Sequence, residues 1–200
     1  MIEYTLEMLA NAKVKEIIVV SCWHAAQVSE YLKHSRWGSS RKPNVRVVSY
    51  KLANSAGEAL RELADTGIVQ SDPFVLISGD VISNVRLAPI IQTHKSDPGR
   101  MMTLLFRKTN PGNHLRSLDD ELVVVNDAET KQLLLYQVTA GEEDEDEDGE
   151  ISIPVGHLDL FREHPRVEIR KDLLDCHIDI CSLQVLNTIK EELYEDLRFD

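Results

Sequence analysis

The sequence predicts an α/β fold in which a mostly parallel, mixed sheet is flanked by helices. Three observations carry this. Through the first hundred residues, amphipathic stretches alternate with apolar runs in the order helix, strand, helix, strand, helix, strand, helix, the pattern of βαβ units. Phe74-Val75-Leu76-Ile77 is apolar without interruption, as strands covered on both faces are. That run ends in Ser78-Gly79-Asp80, where glycine eases a sharp turn and the aspartate falls at the carboxyl edge of the sheet. Open α/β folds place ligand sites there.

The elements follow in order. Residues 2–12 form a helix, with Ile2, Leu6 and Leu9 on one side and Glu3 and Glu7 on another. Glu16 to Cys22 is rich in β-branched residues and reads as a buried strand. Residues 24–34 are helical with Ala25, Val28 and Leu32 inward, and Gly38 to Pro43 is a polar loop. Val45 to Tyr50 is a strand. Gly57 to Asp65 is a helix that turns Leu60 and Leu63 inward and stops at Gly67. The Gly-Asp strand comes next, then a helix over 87–95 carrying Leu87, Ile90, Ile91 and His94 at helical spacing. The second half changes character. Met102 to Arg107, Glu121 to Val125 and Lys131 to Val138 are strands, and the turn chemistry of Asn126-Asp127 and Glu129-Thr130 joins the last two as an antiparallel hairpin. Asp172 to Ser182 contains a strand, with a helix from about 183. No internal repeat or domain boundary is evident, so residues 1–200 are read as one domain.

Two hundred residues suit one domain or most of a larger one. No apolar run is long enough to span a bilayer, and Met1 to Glu7 has acids in place of the basic start of a secretory signal. Three cysteines, Cys22, Cys176 and Cys181, suggest reduced thiols in a cytosolic protein. The net charge of −12 is unevenly placed. Glu142 to Asp148 are consecutive acids, joined by Glu150, and without these eight residues 26 acids face 22 bases. Like charges repel and stay solvated, so 141–150 reads as a disordered acidic loop. Neither part has the clustered positive field of a nucleic-acid-binding surface.

Candidate chemistry is sparse. Asp80 could hold a divalent cation against a triphosphate, or simply support its turn. Alternation puts His177, Asp179 and Cys181 on one face of their strand. At roughly 6.5 Å spacing they do not easily share one metal, and as a Cys-His nucleophile pair their side chains point in parallel and do not converge, so a polar face covered by a loop or a partner is the better reading. Cys22-Trp23-His24 closes another strand, with Trp23 and Trp37 suited to packing or an interface. No C-x-x-C, H-E-x-x-H, G-x-S-x-G, Walker loop or G-x-G-x-x-G occurs, and the scattered glycines form no phosphate cradle.

The opening Ile2-Glu3-Tyr4-Thr5-Leu6-Glu7 resembles the first helix of the nucleotidyltransferase-like, Rossmann-like fold of sugar-nucleotide pyrophosphorylases. Three blocks narrow this: Cys22-Trp23-His24-Ala25-Ala26-Gln27, Ser78-Gly79-Asp80-Val81-Ile82-Ser83-Asn84, and Asp172-Leu173-Leu174-Asp175-Cys176-His177-Ile178 with Ile180-Cys181-Ser182. Together they resemble the epsilon-subunit family of translation initiation factor 2B, in matching order over nearly the whole chain.

The resemblance implies support of guanine nucleotide exchange on initiation factor 2. In that family exchange belongs to a carboxyl-terminal helical-repeat domain, and the nucleotidyltransferase-like region builds the complex. It implies a noncatalytic scaffold or regulatory segment with no cofactor and no catalytic, cofactor-binding or metal-binding residues. The implied partners are the other factor 2B subunits, gamma above all, and initiation factor 2. Nucleic acid and membrane are not expected as partners, and the expected compartment is the cytosol. It also implies an incomplete domain that lacks the family's first strand and glycine-rich loop, the strand belonging between 16–22 and 74–77. The acidic run looks like an insertion, and the family's Asn-Phe element is not recognisable at Glu191 to Asp196. The alternative is an active nucleotidyltransferase forming a nucleotide sugar with magnesium at Asp80, and a third reading is an acidic interaction module at 142–150.

Overall fold

The structure, a computed structural model, describes residues 1–38, 43–50, 53, 55–109, 122–138 and 162–191. These form five helices and eight strands among the described residues: α1 (Ile2–Asn11), β1 (Glu16–Ser21), α2 (Ala25–His34), β2 (Asn44–Ser49), α3 (Ala56–Thr66), β3 (Phe74–Ile77), α4 (Leu87–Lys95), β4 (Met102–Lys108), β5 (Leu122–Asp127), β6 (Leu133–Val138), β7 (Val167–Arg170), β8 (Leu173–Cys181) and α5 (Leu183–Glu191). The acidic run 141–150 and the residues after Glu191 lie outside the described residues. The chain divides into two compact units, one made of Met1–Leu104 with His177–Asp200 and the other of Leu105–Cys176.

The larger unit begins with the expected alternation. β1 and β2 pair in parallel, from Glu16 opposite Asn44 to Ser21 opposite Ser49. α3 is fixed at both ends by local chemistry. Ser55 Oγ accepts the Glu58 N–H at 3.1 Å, which satisfies an amide with no partner inside the helix. Gly67 closes the helix at φ 62°, a left-handed conformation that costs glycine little. α5 takes its start from afar, since Asp72 Oδ1 accepts the Leu183 N–H at 3.1 Å. The core gathers Leu60, Leu63 and Ala64 of α3, Val185, Leu186 and Ile189 of α5, and Cys181 of β8, with Ile18, Val20, Val48, Phe74 and Leu76 packed against it. Burying each of these large side chains contributes about 1.5–3 kcal/mol.

β3 departs from the fully buried strand expected at 74–77. All four of its residues are half-buried. It pairs antiparallel with β8, which lies between β3 and β4. β1 pairs only with β2, and β3 only with β8, so each has a hydrogen-bonded neighbour on one side alone among the described residues. A strand at the edge of a sheet is covered less than a central one, and its outward N–H and C=O groups stay unpaired.

The smaller unit holds the continuously buried strand. β5 lies between β6 and β7, paired antiparallel with both, and every one of its residues is buried. The expected β5–β6 hairpin forms, but Asn126 and Asp127, read as turn residues, end β5, and the turn falls on residues 128–130. Asp127 Oδ1 accepts the Glu129 and Thr130 N–H groups at 2.8 and 2.7 Å, and the Asp127 carbonyl accepts the Lys131 N–H at 3.0 Å. Ion pairs lace the sheet, Lys131 to Glu168 at 3.0 Å and Arg170 to Asp172 at 2.6 Å, with Arg166 paired to Glu129. β7, Val-Glu-Ile-Arg, was not expected from the sequence. Four residues with two charges among them give too short an alternation to stand out.

Candidate functional site

The Gly-Asp turn sits where the sequence places it, directly after β3. Its geometry differs from the expected one in two ways. Gly79 does not adopt a positive φ, and a Cβ built on it meets nothing within 4 Å, so the turn itself does not require glycine. The turn is held from a distance instead. Thr5 of α1, 4% exposed, donates its hydroxyl to the Val81 carbonyl at 2.8 Å, with the Gly79 carbonyl at 3.3 Å. The Ser78 N–H donates to the His177 carbonyl at 3.2 Å. Thr5 was not singled out by sequence reasoning, because nothing local marks a contact with residues more than seventy positions away.

Asp80 itself is exposed. It could supply one oxygen donor to a magnesium ion, whose shell would then be completed by water and phosphate oxygens. Among the described residues no group of three or more His, Cys, Asp or Glu side chains converges as a cation site. Asp80 therefore belongs to no such group among the described residues, and no described glycine-rich loop faces it to hold phosphate.

The trio of β8 resolves into three separate environments. His177 takes φ 50° and is exposed, which interrupts the strict alternation assumed from sequence. Beyond it Asp179 lies opposite Leu76 and Cys181 opposite Phe74. Directly opposite residues of an antiparallel pair share a face; Cys181 belongs to the core, and Phe74 and Leu76 pack against it. The face read as polar is thus turned inward at its end. Cys181 is fully buried, and burial first, then the Asp179 charge, pushes its thiol up to about 12. A thiol so raised stays protonated and is a poor nucleophile.

Cys22-Trp23-His24 also separates. Cys22 is half-buried against the core, Trp23 is 78% exposed, and His24 precedes α2 in the left-handed conformation at φ 56°. Trp37 carries the Arg36 guanidinium over its ring at 4.5 Å, a packing role.

Two further titratable groups are perturbed by their surroundings. His94, 3% exposed, holds Thr103 Oγ1 at 2.9 Å from Nδ1. Burial, then the Arg100 charge, lowers its pKa, with Asp72 and Asp97 opposing. Asp127 is held below the usual carboxylate range by the Thr130 N–H first and then by His164, whose Nδ1 lies 2.8 Å from Oδ2. Both groups tie secondary-structure elements together, and neither adjoins the Gly-Asp turn in sequence.

Residues 1–114 match the model of the nucleotidyl transferase family. The chain belongs to that family. Solved members of this fold share the architecture at low identity. HddC from Yersinia pseudotuberculosis superposes with a TM-score of 0.62 at 11% identity, over 98% of this chain and 68% of that one. The inositol-1-phosphate CTP transferase from T. maritima gives 0.58 at 13%, over 95% and 60%. These likenesses establish the fold alone. Higher identity lies elsewhere. The chain is 37% identical over 207 residues to translation initiation factor eIF2B subunit epsilon of Dictyostelium discoideum, covering all of this chain and 28% of that protein. It is 38% identical over 206 residues to the subunit of the same name in Schizosaccharomyces pombe, covering all of this chain and 29% of that protein. The chain spans less than a third of the length of these relatives. None of its described helices is long and apolar enough to cross a membrane.

Proposed function

We propose that this chain is a noncatalytic scaffold or regulatory segment of a translation initiation factor 2B epsilon subunit, supporting GDP-for-GTP exchange on initiation factor 2. The observation that carries the reading is similarity to two such subunits along the chain's entire length. The physical argument beside it is that Asp80 is exposed and belongs to no cluster of three or more potential metal ligands among the described residues. Nucleotidyl transfer needs a phosphate cradle and cationic groups around the transferring phosphorus as well as a metal-binding carboxylate. On this reading the domain's sheet and helices build the complex, and residues 1–200 belong to one nucleotidyltransferase-like domain. Its partners are the other factor 2B subunits, gamma in particular, and initiation factor 2. It works in the cytosol, without nucleic acid or membrane as a direct partner.

The test is co-purification of the full-length epsilon subunit with gamma, with and without residues 1–200. Loss of gamma on deletion, with assembly and exchange unchanged in Asp80→Asn, is expected. Full gamma binding by the deletion variant would refute the scaffold role. A second reading rests on the position of Asp80 at the end of β3: an active enzyme that forms a nucleotide sugar. Release of pyrophosphate from a nucleoside triphosphate and a sugar phosphate, abolished by Asp80→Asn, would support it in place of the first.

A further inference from the structure

Asp72 acts on two elements at once, a buried histidine and the start of a helix. Its Oδ1 accepts the Leu183 N–H at 3.1 Å, one of the first-turn amides of α5 that have no partner inside the helix. A carboxylate there also meets the positive end of the helix dipole. One residue earlier, the Ser182 N–H donates to the Met101 carbonyl at 2.8 Å, which fixes the start of α5 against the residue that leads into β4. His94 of α4 reaches the same stretch of β4. It is buried, and its Nδ1 lies 2.9 Å from Oγ1 of Thr103, two residues beyond Met101. α4, β4 and α5 thus converge on one junction.

The charged groups that act on His94 are Arg100, Asp72 and Asp97. Asp97 already faces a cation, since Arg100 Nη2 lies 3.5 Å from its Oδ2, and its N–H donates to the His94 carbonyl at 3.3 Å. Asp72 holds a neutral amide and forms no ion pair with lysine or arginine among the described residues. A carboxylate binds a cationic donor more strongly than a neutral one. A proton on His94 would put an imidazolium in this buried junction beside Arg100, with Asp72 as the compensating charge. We propose that Asp72 is an acid-responsive clasp: a proton taken up by His94 draws the carboxylate from the Leu183 amide and loosens the first turn of α5. Burial, then Arg100, holds His94 below its ordinary pKa while Asp72 opposes them, so the clasp stays shut near neutrality and opens below the usual histidine range. Val185, Leu186 and Ile189 of α5 share the core with Leu60, Leu63 and Ala64 of α3. The clasp therefore ties the charge of one side chain to a helix of the main core, and it does not depend on the family.

Nuclear magnetic resonance of the isotope-labelled full chain tests this by following the Leu183 amide and the His94 ring from about pH 8 to about pH 5, above the ordinary carboxylate range. The clasp predicts that both signals move with one midpoint, below the ordinary histidine value. In His94→Gln the Leu183 amide should hold its position across the range. In Asp72→Asn, which keeps the histidine, the His94 midpoint should move to lower pH because an opposing charge is gone, and the Leu183 amide should no longer follow it. This second variant carries the test by itself if His94→Gln does not fold. A Leu183 amide that stays fixed while His94 titrates, or that titrates as before in His94→Gln, would overturn the proposal. So would a His94 midpoint left unchanged by Asp72→Asn, or a His94 ring that takes no proton over the range.

Discussion

Cys181 gives the sharpest test of the core. It is fully buried beneath α3 and α5, and its thiol is pushed up to about 12. At about pH 8 a thiol of ordinary pKa is roughly one-quarter thiolate, whereas one near 12 is about one part in 10⁴ ionised. Ionisation alone therefore slows alkylation by about 10³-fold, and exclusion of the reagent adds to that. The perturbation is iodoacetamide on the native chain, read site by site by mass spectrometry against the same chain in denaturant. Cys22 and Cys176, both half-buried, serve as internal references. The expected result is protection of Cys181 by at least about 10³-fold relative to the denatured chain, lost together with the global unfolding transition. Labelling of native Cys181 at the rate of Cys22 would refute the placement of β8 inside the core.

Other outcomes follow from single contacts. His94 is held below its ordinary pKa mainly by burial, so the unfolded chain binds the proton more readily. Stability contributed by neutral His94 is complete above the ordinary histidine value and is lost progressively as pH falls from there through the lowered value of the folded state. Urea midpoints should drop from about pH 8 to about pH 5.5, and His94→Gln should flatten that slope; an unchanged slope contradicts the assignment. Ser55→Ala should cost about 1 kcal/mol through the lost cap of α3, and Ser55→Gly a few tenths. Gly67→Ala should cost about 1 kcal/mol and Gly67→Asn less, because the strain is backbone alone: a Cβ there meets nothing within 4 Å.

The first half of the chain was largely legible because its signals are local. Helix α4 falls on the residues its spacing marks, and α3 ends at Gly67 as its sequence requires. Burial was less legible, because it depends on what lies alongside in space. Phe74 to Ile77 reads as a central strand but has one neighbour and is half-buried, whereas the equally apolar Leu122-Val123-Val124-Val125 is central and fully covered. His177 turned the expected face pattern of β8 with one left-handed residue, which no side-chain alternation reveals. At the candidate site, Asp80 was visible as a strand-end carboxylate. Thr5, which holds the turn, was not, since its hydrogen bonds span more than seventy residues. The Glu3–Tyr31 contact between α1 and α2 was hidden for the same reason: the two residues meet only once the chain has folded back.

Titration calorimetry of magnesium with a nucleoside triphosphate into the protein, with and without Asp80→Asn, bears most directly on the proposal that this nucleotidyltransferase fold serves assembly. The account predicts heats that are indistinguishable between the two proteins. Tight, magnesium-dependent uptake that disappears with Asp80→Asn would contradict it.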